Sequence, residues 1–247
     1  MKTAKFQRRF YRDWTRSKDL HLTHIIAKET DLQVFTRRPP DKKSVEEKVR
    51  SLRWDIEHYI SKDHRFLTSL KPITVEINAP QIVKVMNEAA RLVNVGPMAS
   101  VAGAVAEFVG QELLKAGHKD VIVENGGDVF LKSTKVRAVG IYAGRSKMLS
   151  RLKIRIRPKD TPMGICTSSG TIGHSLSFGC ADSVVIISKN AVLADAVATA
   201  TCNRVNSKDD MQRALDFARS IKGVTGAVII LKNNLVTWGN IEFIDKV

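Results

Sequence analysis

Asp195 and Thr199 stand four residues apart in the run LADAVATA. At helical spacing they share one face. A carboxylate and a hydroxyl are hard ligands suited to magnesium or calcium, and magnesium often takes only one or two protein carboxylates, completing its shell with water and substrate phosphates. Alanines at 191, 194, 196, 198 and 200 would let a ligand lie against that helix. The same pair also fits an acid favoured by the helix dipole beside an ordinary threonine. Upstream, Thr167-Ser168-Ser169-Gly170-Thr171 gathers hydroxyls on glycine-containing backbone, which suits an anion cradle and equally an ordinary loop. His174 could orient a substrate or shuttle a proton, or be a hydrogen-bonded structural histidine. Asn125-Gly126-Gly127-Asp128 lies between two apolar runs. It fits a hairpin turn, or a glycine turn that lets backbone approach a ligand with Asn125 and Asp128 as polar contacts. A Ser-His-Asp hydrolase built from Ser168 or Ser169, His174 and Asp182 is conceivable, but no G-x-S-x-G elbow supports it.

Three cysteines, Cys166, Cys180 and Cys202, are too few and too odd in number for a disulfide framework. They read first as small core residues in a reducing compartment. Cys166 and Cys180 flank the Ser/Gly segment, so a place near a site is the sharper alternative. The formal net charge is +15, and residues 1–50 hold 14 Lys/Arg against 7 Asp/Glu. Such an excess attracts phosphate-bearing ligands or nucleic acid. With aromatics at 6% and no aromatic-interleaved basic motif, solvation is the first reading and a nucleic-acid surface the last. No run of about 18 apolar residues marks a membrane span, and the basic N-terminus lacks the apolar core of a signal peptide. The expectation is a cytoplasmic protein.

The elements that must position these residues follow from pattern. Residues 1–19 form a charged arm with Phe6, Phe10, Tyr11 and Trp14 interleaved, able to dock on the body or on a second subunit. Residues 20–247 form one domain. Strands are expected at 20–27 and 32–36, then a break at Pro39-Pro40. A helix follows, with Ser44 and Glu47 at capping-box spacing and Val45, Val49, Leu52, Ile56 and Ile60 on one face. His58 and His64 read as surface residues. A short strand is expected at 73–77 and a helix from Pro80 to 93. A small-residue helix spans 99–115 and ends near Gly117. Strands follow at 120–124, 129–131, 139–142, 152–156 and 183–188, then a helix at 209–221 and a hairpin of 227–231 with 235–238. Strands cluster early and mid-chain with helices between them, which argues α+β with mixed or antiparallel sheets and packed helices rather than βαβ alternation. Rossmann and P-loop fingerprints are absent from the sequence.

Taken together, NGGD at 125–128, TSSG at 167–170, a histidine shortly after, SVVIIS and LADAVATA resemble, in that order, the ApbE superfamily of flavin transferases. The segments VGPMASVAGAVAE, VIVENGGD, VGIYAG and GICTSSGTIGHSLSFG are similar to a short cytoplasmic branch of it. The resemblance runs from about residue 10 to 226. It implies a single ApbE-like domain that binds FAD with Mg2+ and transfers FMN to a Thr or Ser hydroxyl of a protein substrate, releasing AMP. Asp195 and Thr199 match the metal-facing pair of that superfamily, and a third metal contact, a backbone carbonyl, falls near Ala102. Asn125, Gly126, Gly127, Asp128, Thr167, Ser168, Ser169 and Gly170 are the cofactor-binding candidates and His174 the catalytic one. Two motifs differ: Gly103-Ala104-Val105 stands where the transferases carry K-G-Y or E-G-Y, and SLSFGCADS follows His174 where they have D-P-x-T-G. The expected ligand is therefore a flavin or nucleotide diphosphate, with transfer or hydrolysis as the chemistry and a homodimer as the assembly. The alternatives are an accessory protein of sulfur assimilation and homocysteine synthesis using cysteine chemistry, and a non-catalytic ligand-binding scaffold.

Overall fold

The computed structural model describes residues 19–141, 152–171 and 177–244. Its centre is an eight-stranded sheet in which every pairing is antiparallel. In spatial order the strands are β1 (His21–Ala27), β2 (Thr30–Thr36), β3 (Val121–Asn125), β4 (Asp128–Lys132), β7 (Met163–Ser168), β8 (Ser183–Ser188), β9 (Val224–Leu231) and β10 (Asn234–Gly239). A second sheet of β11 (Phe243–Ile244), β6 (Lys153–Ile156) and β5 (Arg137–Gly140) lies over part of one face. The helices α1 (Lys42–Lys62), α2 (Arg65–Thr68), α3 (Gln81–Val93), α4 (Val101–Lys115), α5 (Ala191–Cys202) and α6 (Asp210–Ser220) supply the other layer.

Strand periodicity builds two cores from one sheet. In β8, Val184 and Ile186 face the helices while Val185 and Ile187 face the small sheet; in β9, Ala227 and Ile229 alternate with Val228 and Ile230 in the same way. This is why SVVIIS is a continuous apolar run: both of its faces are buried.

The helices follow their apolar stripes. α1 buries Val45, Val49, Leu52, Ile56 and Tyr59, with Ile60 only partly buried. Its N-cap is Asp41, whose carboxylate accepts from Lys43 N–H at 3.1 Å. The Ser44/Glu47 capping box is thus displaced by three residues, because Pro39-Pro40 lets the helix begin immediately after Asp41. His58 and His64 are exposed, and His58 stacks on Trp54 at 4.8 Å between ring centroids. Pro80 is the N-cap of α3 rather than a residue of its first turn. The strand expected at 73–77 is absent: that segment is irregular, with Glu76 N–H donating to Tyr59 Oη at 3.2 Å and Ile77 exposed. Ile73 and Val75 pack on the helix-side core, which explains their apolar character without a ladder partner. No single helix among the described residues is long and apolar enough to cross a membrane.

Two close approaches set the helix layer on the sheet. A Cβ at Gly110 would stand 2.1 Å from the Phe130 ring, and one at Gly164 would stand 2.3 Å from Ala191 Cα. Side chains there would push α4 and α5 off the strands beneath them.

Candidate functional site

Where α4 begins, α5 passes and the β3–β4 turn closes, the chemistry-bearing residues converge. Asn125 and Asp128 are register partners flanking a two-residue turn, and Gly126 and Gly127 occupy it with φ of 70° and 105°. That pair of positive φ values is what a tight hairpin turn requires. Alternation puts Asn125 and Asp128 on the face bearing Val123 and Phe130, toward the helices. The turn is held from the opposite face, where Glu124 accepts from Gly127 N–H at 2.8 Å.

α4 follows a short 3-10 turn, Pro97–Ser100, and its N-cap Ser100 makes no side-chain capping bond, its hydroxyl donating instead to Pro97 O at 3.1 Å and Met86 O at 3.4 Å. The role passes to another helix: Asp195 Oδ2 accepts from Gly103 N–H at 2.8 Å, so a carboxylate meets the positive end of α4. A Cβ at Gly103 would lie 2.4 Å from Ala191 O and 2.8 Å from Asp195 Cβ, so glycine is what lets α4 and α5 touch. Asn125 Nδ2 donates to Ala102 O at 3.2 Å, and Thr199 Oγ1 donates to Ala99 O at a long 3.5 Å. At the start of α5, Glu107 accepts from Ala191 N–H at 2.8 Å and Cys166 Sγ donates to Ala191 O at 3.3 Å. Asp128 Oδ1 accepts from Thr167 N–H at 3.2 Å.

The electrostatics of this junction are unusual. Asp128, Asp195 and Thr199 are all buried, and among the described residues neither carboxylate pairs with a Lys or Arg. Burial pushes the Asp195 carboxyl up to about 7, against the pull of the Gly103 and Ala102 N–H groups. Asp128 is pushed well above the usual carboxylate range by burial first, then by the charge of Asp195 and, further down, Glu124. Burial likewise raises the Cys166 thiol, with Asp128 and Asp195 adding to it. A bound cation would relieve this mutual repulsion. The donors are all hard oxygens: two carboxylates, a hydroxyl, and the carbonyls of Ala99 and Ala102. No three His, Cys, Asp or Glu side chains cluster as a metal cage among the described residues, so a cation here would draw on the hydroxyl and carbonyl oxygens. That donor set fits magnesium, which tolerates few protein carboxylates.

The structure thus brings together Ala102, Asn125, Gly126, Gly127, Asp128, Thr167, Asp195 and Thr199. The rest of the Ser/Gly segment behaves differently. Thr167 and Ser168, expected in a flexible stretch, are the last residues of β7. The Ser168 hydroxyl is buried without an oxygen or nitrogen partner among the described residues. Ser169 and Gly170 turn toward residues 179–182: Gly170 N–H donates to Ala181 O at 2.9 Å, and a Cβ on Gly170 would stand 1.7 Å from Gly179 O. Asp182 accepts from Lys232 N–H at 2.6 Å and from Thr171 Oγ1 at 3.4 Å. His174 lies outside the described residues. Cys166 and Cys202 are buried and Cys180 is exposed. Pattern alone missed Glu107 and Glu124, and Gly103 stood out only as a departure from the family motif. Glu107 and Gly103 are one helical turn apart in VAGAVAE, and that spacing was the available signal.

The architecture is that of the ApbE flavin transferases. The chain is similar to the flavin transferase ApbE of Vibrio cholerae with a TM-score of 0.59 at 14% identity, covering 89% of this chain and 97% of that one. The flavinyl transferase ApbE of Pseudomonas stutzeri matches with a TM-score of 0.56 at 14% identity, covering 89% and 94%. At such identities the likeness shows an ApbE-like fold. A family model described as AbpE bacteria matches residues 12–242, and the chain belongs to that family. It is 40% identical over 227 residues to the UPF0280 protein MJ1526 of Methanocaldococcus jannaschii, covering 90% of this chain and 92% of that one. It is 36% identical over 224 residues to a UPF0280 protein of Methanosarcina acetivorans, covering 90% and 88%.

Proposed function

We propose that the protein binds a flavin or nucleotide diphosphate together with Mg2+ at the α4–α5–β3/β4 junction, and that FAD is the natural ligand. The observation that carries this reading is the pair of buried carboxylates, Asp128 and Asp195, set among backbone carbonyls with no Lys or Arg partner among the described residues. Asp195, Thr199 and the Ala102 carbonyl would hold the cation, with Asp128 adding charge. When bound, Mg2+ polarises a diphosphate and offsets the charge that develops on it.

The chain's own residues prepare that site. The Asn125 amide fixes the Ala102 carbonyl, Glu107 pins the first turn of α5, and Glu124 keeps the Gly126-Gly127 backbone closed. Thr167 holds Asp128 through its N–H, while its side chain shares the small-sheet face with Val185, so Ser168, on the helix face with Val184, is the member of the 167–170 segment that would meet a ligand. The reaction supported best is passage of FMN to a protein hydroxyl. A new O–P bond forms, the diphosphate P–O bond breaks, AMP leaves, and His174 takes the hydroxyl proton. Hydrolysis is the same step with water as acceptor.

The test is a melting curve with FAD and Mg2+, followed by a direct assay of AMP release. A rise in Tm that needs both components and is lost in Asp195→Asn supports binding. AMP release that is lost in His174→Ala while the Tm rise persists supports the chemistry. No Tm rise with FAD, FMN or ADP in the presence of Mg2+ would refute the reading.

A further inference from the structure

The three free thiols divide by place. Cys166 belongs to the junction described above. Cys202 is the last residue of α5 and is buried, while Cys180 is exposed in the irregular segment before β8. Residues 177–180 are fastened, one after another, to the turn that follows α5. Ser177 Oγ donates to Asn203 Oδ1 at 3.1 Å, and Phe178 N–H donates to the same oxygen at 2.8 Å. A Cβ on Gly179 would stand 1.8 Å from Cys202 O and 3.0 Å from Val205 O. Cys180 N–H donates to Val205 O at 2.7 Å, and Val205 N–H donates back to Cys202 O at 3.1 Å.

Glycine at 179 is therefore what lets this segment reach the end of α5, and the approach sets Cys180 beside Cys202. Two α-carbons must lie within about 7 Å for a disulfide, and backbone contacts this short hold the two residues on that scale. The thiols also sense one another. Burial raises the Cys202 thiol, the Ser177 and Ser168 hydroxyls pull it back, and charge on Cys180 adds to the rise. Hydroxyls against the Cys202 sulfur favour its thiolate, the form that attacks a disulfide.

We propose that Cys180 and Cys202 form a reversible disulfide, with Cys180 as the thiol that meets the oxidant and Cys202 as the one that resolves it. The oxidant is a low-molecular-weight disulfide. The Cys180 thiolate attacks one of its sulfurs and its S–S bond breaks. A mixed disulfide forms on Cys180, and the first small thiol leaves with the Cys180 proton. The Cys202 thiolate then attacks the Cys180 sulfur. The protein S–S bond forms, and the second small thiol leaves with the Cys202 proton. Two protein thiols are oxidised and one small disulfide is reduced to two thiols. Exposure suits Cys180 to the first step, and burial shields Cys202 from any sulfur except one already held on Cys180. A disulfide that forms and reopens in a reducing compartment is of the redox-sensing kind. The link would tie residues 177–180 to α5 one turn beyond Thr199 and beside the Ser168 hydroxyl. The inference stands on the two thiols and does not depend on the ligand of the site.

Oxidised glutathione on the folded, fully reduced full chain tests it. The reaction is quenched with acid, the chain is unfolded and alkylated with N-ethylmaleimide, and its peptides are mapped by mass. The expected product has lost two hydrogens, carries a Cys180–Cys202 linked peptide, keeps Cys166 open to alkylation and reverts with dithiothreitol. Cys202→Ser should stop at glutathione held on Cys180, and Cys180→Ser, at an exposed position, should lose the reaction while folded. Because Cys202 is buried, Cys202→Ala is made beside the serine variant, and the wild-type map stands without either. Glutathione that persists on Cys180 of the wild type, a disulfide between two copies, a link to Cys166, or no reaction overturns the proposal. A Cys180–Cys202 link that forms only after the chain is unfolded in urea also overturns it.

Discussion

Replacing Gly103 with alanine should separate the two helices that build the site. The added Cβ would stand 2.4 Å from Ala191 O and 2.8 Å from Asp195 Cβ. One neighbour is backbone and the other is the first carbon of a buried side chain, so no rotamer change relieves the clash. Overpacking of this kind costs about 1–3 kcal/mol, and the backbone contact puts this position at about 3 kcal/mol. The gain from alanine in a helix offsets about 1 kcal/mol, leaving a net loss near ~2 kcal/mol. For a domain of this size, Tm should fall by roughly 4–8 °C. Gly140→Ala is the control: among the described residues nothing lies within 4 Å of its Cβ, so its Tm should match the wild type or rise slightly. Gly110→Ala, which meets the Phe130 ring at 2.1 Å, should also destabilise but keep the Tm rise with FAD and Mg2+, whereas Gly103→Ala should lose it. Scanning calorimetry with and without ligand reads all three. A Gly103→Ala protein that melts at or above wild type and keeps its ligand response would refute the reasoning.

Native alkylation with N-ethylmaleimide should modify Cys180 alone, since Cys166 and Cys202 are buried and burial raises both thiols; intact-mass analysis should show one adduct, and three after unfolding. Asp120 is buried and anchors Thr134 N–H at 2.6 Å, Ser133 Oγ at 2.9 Å and Arg37 Nε at 2.7 Å, so Asp120→Ala should cost about 3 kcal/mol in urea unfolding. Burial pushes the Asp120 carboxyl up, but the Thr134 and Ser133 hydrogen bonds and the Arg37 charge outweigh it, so the folded value lies below the ordinary one. Its contribution is therefore complete above the unfolded value near about 4 and is lost as pH falls through the lower folded value. The gap between wild type and Asp120→Ala should narrow only in that acid range. Gly170→Ala should destabilise the 179–182 packing, where its Cβ would meet Gly179 O at 1.7 Å, and a Tm equal to wild type would contradict that packing.

The sequence showed strands and helices wherever one period ruled a long segment. α1, α3 and α6 carry one apolar face each, and β8 with β9 reads as buried strand because both faces face cores. It failed where composition and structure disagree. Thr167 and Ser168 look like loop residues, yet the ladder with β8 extends through them, because pairing between central strands overrides weak local propensity. Ile73 and Val75 look like a strand but only pad the helix core. Asp195 and Thr199 stood out by spacing, and so did the 125–128 turn. Their meeting point did not, because it depends on Gly103 letting two helices touch 92 residues apart in sequence. The arm expected at 1–19 lies, but for Asp19, outside the described residues.

The central claim is that the α4–α5 junction is a divalent-cation site built on Asp195. Titration calorimetry with Mg2+, and with Mn2+ as a tighter-binding substitute, tests it directly on the wild type and on Asp195→Asn, which keeps a side-chain oxygen for the Gly103 N–H. One cation per chain in the wild type, with affinity at least about tenfold weaker in a folded Asp195→Asn protein, is the predicted result. Equal binding by both proteins, or none by the wild type with or without FAD, would contradict the account.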